Sequence, residues 1–251
     1  MITLIKNEFF KLKREWFILF LLLLSLIPVL TGGAGALFNN STNTIQDLFF
    51  FMNNQFAMFF PIVNFILVGS LFYQEYKNKT YINWISYGYS KSKLFFSKIM
   101  VSFIIGILFA ITLLFLFAVL IVILQLMRKI TINISLFLSL MFGFALETLI
   151  IVFITTCTGA IVINLSRNII VTSVVGMIYS FVSCFFIGME KGFIVPGGFA
   201  YRVSMYFSDK TTYYDMPVQA TIGGCISTII VFIVLLFISL YIFTHKRKIE
   251  N

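Results

Sequence analysis

At 251 residues, with 60% hydrophobic side chains, 11% charged and a mean hydropathy of +1.03, the chain falls outside the soluble domains, whose charged fraction is about 25%. The composition is that of an all-α polytopic membrane protein. Its net charge of +9 then speaks of topology and anionic lipid headgroups, and no nucleic-acid partner is expected.

A hydrocarbon core about 30 Å thick takes about 20 apolar residues per helix. Six runs qualify, at approximately Trp16 to Gly32, Phe56 to Tyr73, Ile99 to Leu126, Leu136 to Ile163, Ile169 to Ile187 and Ile222 to Phe243. The third and fourth exceed what a bilayer needs and are expected to tilt, kink or project. Because Lys and Arg favour cytoplasmic loops, both termini are expected inside. That arrangement leaves thirteen basic residues within and five, Arg128, Lys129, Lys191, Arg202 and Lys210, outside, which accounts for all 18. The three cysteines each fall within a run and form no CxxC pair, so neither a disulfide framework nor a metal site is expected.

In chain order, residues 1–15 form an amphipathic helix with Ile5, Phe9, Leu12 and Trp16 on one face, suited to lying along a membrane surface. The competing reading is a signal peptide, with a basic start, an apolar core and Ala34-Gly35-Ala36 as the cleavage-like site. A glycine-rich and asparagine-rich loop, Thr31 to Gln55, leads to the second run. There Pro61 and Asn64 predict a kink beside a polar group, which lines a pathway or bonds a neighbouring helix.

The stretch 74–98, QEYKNKTYINWISYGYSKSKLFFSK, is the densest charge in the chain. Its centre, Tyr81 to Tyr87, is too short and polar to span, and a two-turn helix there presents Ile82 and Ile85 beside Tyr81 and Trp84. Such a face suits docking into a groove; the plainer reading is a charged surface loop with its own aromatic belt.

This stretch resembles the first cytoplasmic loop of permease subunits in ATP-binding-cassette (ABC) exporters of the second type. The matching features are Glu75 at the end of the second span, Lys79-Thr80-Tyr81 at the start of a coupling helix, Ser90-Lys91 at the following turn, and Lys98 opening the third span. Lys79 stands where the family has Gly, and Gly88 where it has Pro. The hydropathy layout of the whole chain agrees. The resemblance implies a single permease domain, 1–251, with an elbow helix at 1–15, a coupling loop at 74–98 and outer helices at 188–217. It also implies contact with a separate ATPase through Glu75, Thr80, Tyr81, Ile82, Trp84, Ile85 and Tyr87.

Further along, Glu147 lies near the middle of the fourth run, where a charge costs about 2.5 to 3.5 kcal/mol. With no basic residue placed within the bilayer, the acid is expected protonated or facing water. It either contacts the pathway or makes an interhelical hydrogen bond, helped by Gly143 and Thr148. The segment 188–217 is too apolar for a free loop and too broken by Pro196-Gly197-Gly198 for a span, so re-entrant or interfacial helices are expected. Within it Pro196, Phe199, Arg202 and Tyr206 are the candidate outer gate.

The chain has no G-x-x-x-x-G-K-[ST] loop and a single histidine, His245, so no enzymatic role is expected, and ATP with Mg belongs to a partner. The reading is the membrane half of an ATP-driven exporter of amphipathic peptides or hydrophobic compounds in a bacterial cell membrane. It would work with a cytoplasmic ABC ATPase and a second copy or similar permease. Alternatives are the six-span capture subunit of an ABC importer and a stand-alone secondary transporter.

Overall fold

The computed structural model describes residues 1–13, 15–38, 44–78 and 88–245, and among these every regular element is helical. Among the described residues five helices are long and apolar enough to span a membrane, and a bent pair makes a sixth if it is one span.

Helix α1 (Ile2–Leu12) packs on α5 (Lys91–Leu126). Its buried face is Leu4, Glu8 and Leu12, not the expected Ile5, Phe9, Leu12 and Trp16; Trp16 opens the next helix and is 84% exposed. The face is rotated because α1 contacts protein, and Glu8 is drawn toward Lys98 on its neighbour.

The first expected span is a bent pair, α2 (Trp16–Ser25) and α3 (Ile27–Phe38), meeting at 45°. Pro28 explains the break, since it has no N–H to donate to the Leu24 carbonyl and its ring crowds that carbonyl. Residues 32–35, expected in a flexible loop, continue α3 instead.

Helix α4 (Ile45–Asn78) starts eleven residues before the expected Phe56. A reciprocal cap accounts for this: the Asp47 N–H donates to Thr44 Oγ1 at 3.1 Å, and the Thr44 N–H and hydroxyl donate to Asp47 Oδ2 at 3.1 and 2.6 Å. The first turns then bury Ile45, Leu48, Phe49 and Met52. The helix continues through Pro61 as one element, and Ser180 donates to the Met58 carbonyl in the preceding turn.

Helix α5 starts at Lys91, capped by Ser90. Its 36 residues reach about 54 Å at 1.5 Å each, longer than a hydrocarbon core of about 30 Å. Helix α6 (Ile134–Ser166) is capped by Asn133 and stopped by Arg167 in the left-handed region (φ 52°); α7 (Ile169–Ile187) then starts from Asn168. Two short 3₁₀ turns, Gly192–Ile194 and Lys210–Thr212, flank α8 (Pro196–Tyr206), and α9 (Pro217–His245) closes the described chain.

The elements form a bundle around α4, which packs along α6 and α7 and touches α2, α3 and α5. The most apolar stretch of α4 is 72% buried, whereas that of α9 is 11% buried, so α4 is the post that positions polar groups and α9 stands at the rim. Close approach along the post requires small residues: a Cβ on Gly176 of α7 would meet the Phe65 side chain at 2.6 Å.

Candidate functional site

Four charged side chains converge where α4 ends and α5 begins. Glu8 and Lys11 come from one face of α1, Glu75 from the last turn of α4 and Lys98 from the third turn of α5. Lys98 Nζ lies 2.8 Å from Glu8 Oε2, 3.3 Å from Glu75 Oε1 and 3.0 Å from the Leu71 carbonyl. Lys11 pairs with Glu8 at 2.8 Å and also with Glu75. Glu8, Glu75 and Lys98 are all buried, and the Lys98 ammonium sits 5.9 Å from the centroid of the Phe72 ring. Two carboxylates and two ammonium groups balance formally, which is how so much charge is accommodated out of water. Burial alone would lower the Lys11 pKa, but Glu8 and Glu75 outweigh it and hold it above the ordinary 10.5.

Further contacts tie both flanks of 79–87 to other helices. Tyr76 Oη donates to Asn164 Oδ1 at the end of α6, and Arg167 in the α6–α7 turn lies over the Tyr76 ring at 5.9 Å. Lys91 Nζ donates to the Thr244 carbonyl at the end of α9 at 3.2 Å. The residues on either side of 79–87 are thus fastened to α1, α6 and α9. Of the expected ATPase contacts, Glu75 is placed in this cluster, whereas Thr80, Tyr81, Ile82, Trp84, Ile85 and Tyr87 lie outside the described residues. Glu8 and Lys11 are the participants that sequence reasoning missed. An acid three residues before a lysine on a membrane-surface helix was the available signal.

A second polar group lies deeper. Glu147 of α6 is fully buried, and neither carboxyl oxygen has a hydrogen-bond partner among the described residues. Asn53 of α4 and Ser204 of α8 face it. Both Asn53 amide atoms, the Ser204 hydroxyl and the hydroxyl of Thr148 are likewise buried without partners. Helix α8 approaches closely here because residue 143 is glycine; a Cβ would meet the Ser204 carbonyl at 2.9 Å. Asn64 is not in this group. It donates to Thr155 Oγ1 at 2.6 Å and Thr156 Oγ1 at 3.1 Å, bonding α4 to α6.

The candidate gate residues occupy different surroundings. Pro196 is buried at the first turn of α8. Phe199, 2% exposed, fills the space that Gly224 of α9 leaves open, where a Cβ would stand 2.2 Å from the ring. Arg202 Nε donates to the Ile187 carbonyl at 2.9 Å, Nη1 donates to the Thr212 carbonyl, and the guanidinium lies over Tyr214 at 5.3 Å. Tyr206 is 38% exposed, against Phe207 and Tyr213. Tyr201, which sequence reasoning passed over, donates to Asn54 Oδ1 at 2.6 Å and joins α8 to α4.

Long apolar helices around a central post, with charge gathered at the ends, define a multi-pass membrane protein. The chain matches the family described as ABC-2 family transporter protein over residues 4–183, and it belongs to that family. It is therefore a membrane subunit of an ABC transporter, and an ABC ATPase is its partner. The matched region runs from α1 into α7 and stops before residues 188–217. No curated protein and no solved structure matches the chain.

Proposed function

We propose that the chain is the permease of an exporter that moves amphipathic peptides or hydrophobic compounds out of a bacterial cell. In this reading both termini are cytoplasmic, and the permease pairs with a second copy or a similar chain. ATP and Mg are bound by the partner ATPase, which docks on 79–87. The observation that carries the reading is the Glu8, Lys11, Glu75 and Lys98 cluster with its flanking ties. A docking segment transmits force only if its ends are stiffly joined to the spans, and buried ion pairs in a low dielectric are stiff and directional. A push on 79–87 then reaches α1, α4 and α5 together, and α6 and α9 through Tyr76 and Lys91. At the opposite end Phe199 and Tyr206 belong to the gate, with Asn64 and Glu147 between the two.

The test is co-expression with the candidate ATPase, purification on a tagged permease, and transport in vesicles of both orientations. Stable co-purification, with ATP-dependent uptake of an amphipathic peptide into inside-out vesicles, is expected. Uptake only into right-side-out vesicles would make the chain an importer subunit. Gradient-driven transport with no ATPase bound would make it a secondary transporter.

A further inference from the structure

The outer segment and the start of α9 enclose a cavity of about 290 Å³, lined by Glu190, Lys191, Arg202, Tyr214 and Asp215 among others. Beside it runs an apolar groove of about 470 Å³, walled by Leu146, Val203, Phe207, Val218 and Ile222. Tyr213 lines both. We propose that cavity and groove together form one binding site for a zwitterionic phospholipid, with its headgroup in the cavity and an acyl chain in the groove.

Three features favour that occupant. The first is charge complementarity: the cavity wall offers two cations, Lys191 and Arg202, for a phosphate, and two carboxylates, Glu190 and Asp215, for a primary ammonium. A purely anionic headgroup would leave the carboxylates opposed to it. The second is order along the membrane normal. Glu190 and Lys191 follow the end of α7, and Asp215 precedes the start of α9, so the charges gather where helices leave the apolar layer. Val218 and Ile222 stand on the first turns of α9, 71% and 57% exposed, beside the headgroup level where an acyl chain begins. The third is the divider. Tyr213 accepts from or donates to Thr221 Oγ1 at 2.9 Å, and its ring meets Tyr206 and Tyr214 at 5.3 and 5.2 Å, a fixed aromatic boundary of the kind that settles at a bilayer interface. The inference concerns a bound lipid and holds for either direction of transport.

The test uses the full chain in nanodiscs of equimolar dioleoyl-phosphatidylethanolamine and dioleoyl-phosphatidylglycerol, extracted into detergent and read by native mass spectrometry. One retained phosphatidylethanolamine per chain is expected, preferred about tenfold over phosphatidylglycerol. Arg202 is left intact because it also bonds two backbone carbonyls. Glu190→Lys with Asp215→Lys should reverse the headgroup preference without loss of folded protein. Val218→Trp, which fills the groove from an exposed position, should abolish retention while thermal unfolding stays near the parent's. Equal retention of the two lipids, or retention unchanged in both variants, would overturn the proposal. Displacement of the lipid by an amphipathic peptide at stoichiometric concentration would overturn it in favour of a substrate site.

Discussion

The charged cluster at the start of α5, Lys11 aside, and the Glu147 group are both buried, yet they are held in opposite ways. In the first, each carboxylate meets both ammonium groups, and Lys98 has a backbone carbonyl besides. In the second, one acid faces an amide and a hydroxyl, and none of these side-chain atoms has a hydrogen-bond partner among the described residues. The first arrangement is complete and resists change. The second has bonds still to make, so it is the place where a different packing of α8 on α4 and α6 would be rewarded. Transitions between states run between discrete packings, and under the proposed function the paired cluster is the stiff joint and the Glu147 group the contact that rearranges.

The largest effect is expected at the stiff joint. Lys98→Met leaves Glu8 and Glu75 with Lys11 alone, and breaking a buried pair of this kind costs about 3–5 kcal/mol. Thermal unfolding of the purified variant in detergent, or its yield as a monodisperse peak, should show the loss. A cost within the range of surface pairs, about 0–1 kcal/mol, would mean that water enters the cluster and that it is no stiffer than an ordinary loop.

Next comes the ATPase interface proposed on 79–87. Trp84→Ala should weaken ATPase binding by about 2 kcal/mol, because buried aromatic anchors carry most interface energy. Titration of the tagged ATPase reads this directly. Unchanged affinity together with unchanged transport-coupled ATP hydrolysis would remove the coupling role from 79–87 and leave the cluster as a scaffold.

At the unsatisfied group the expectation is a difference between two substitutions. Glu147→Gln keeps two hydrogen-bonding atoms for Asn53 and Ser204 and should retain export. Glu147→Leu denies them a partner in any packing, at about 1–3 kcal/mol per stranded group, and should lose it. Equal loss in both would make the carboxyl group itself essential and return weight to proton-coupled transport. A companion measurement follows the helix that rearranges: a cysteine at Phe199, buried against Gly224, should be protected at rest and react faster with bulky thiol reagents in an ATP-locked state.

The same contrast explains what was legible in the sequence. Span five was read to its residue limits, because its ends carry their own signals, Asn168 as cap and Gly188 as stop. Glu75 and Lys98 were found through their places in a resembled loop. Glu8 was not, because a helical wheel sees a polar residue and assigns it to water; only partners distant in the chain make its burial affordable. Asn53 was missed for a related reason. It lies in a stretch read as loop, and the Thr44–Asp47 cap that turns that stretch into helix α4 is a short polar pattern easily taken for turn chemistry. The break at Leu26 has its signal in Pro28, which lies inside an otherwise unbroken apolar run. Nothing in local sequence pairs Phe199 with Gly224, since that contact depends on how α8 lies across α9.

The smallest effect should come from Lys11, the cluster's outermost member, whose side chain is 30% exposed. Its contribution carries a pH signature. Glu8 and Glu75 outweigh the effect of burial and hold its pKa above the unfolded value near 10.5. A group whose folded pKa is raised binds its proton more tightly in the native state, so the native state gains where the unfolded chain would begin to lose it. That stabilisation is fully present below about pH 10.5 and is lost as the pH climbs through the elevated folded value. Lys11→Met should therefore lower the unfolding temperature modestly at neutral pH, with the gap to the parent closing only in strong alkali. Because other lysines and tyrosines also titrate there, the informative quantity is the difference between the two proteins measured side by side. A gap that closes below pH 10.5 would show that the two glutamates do not outweigh burial at Lys11, and the stiff joint would then rest on Lys98 alone.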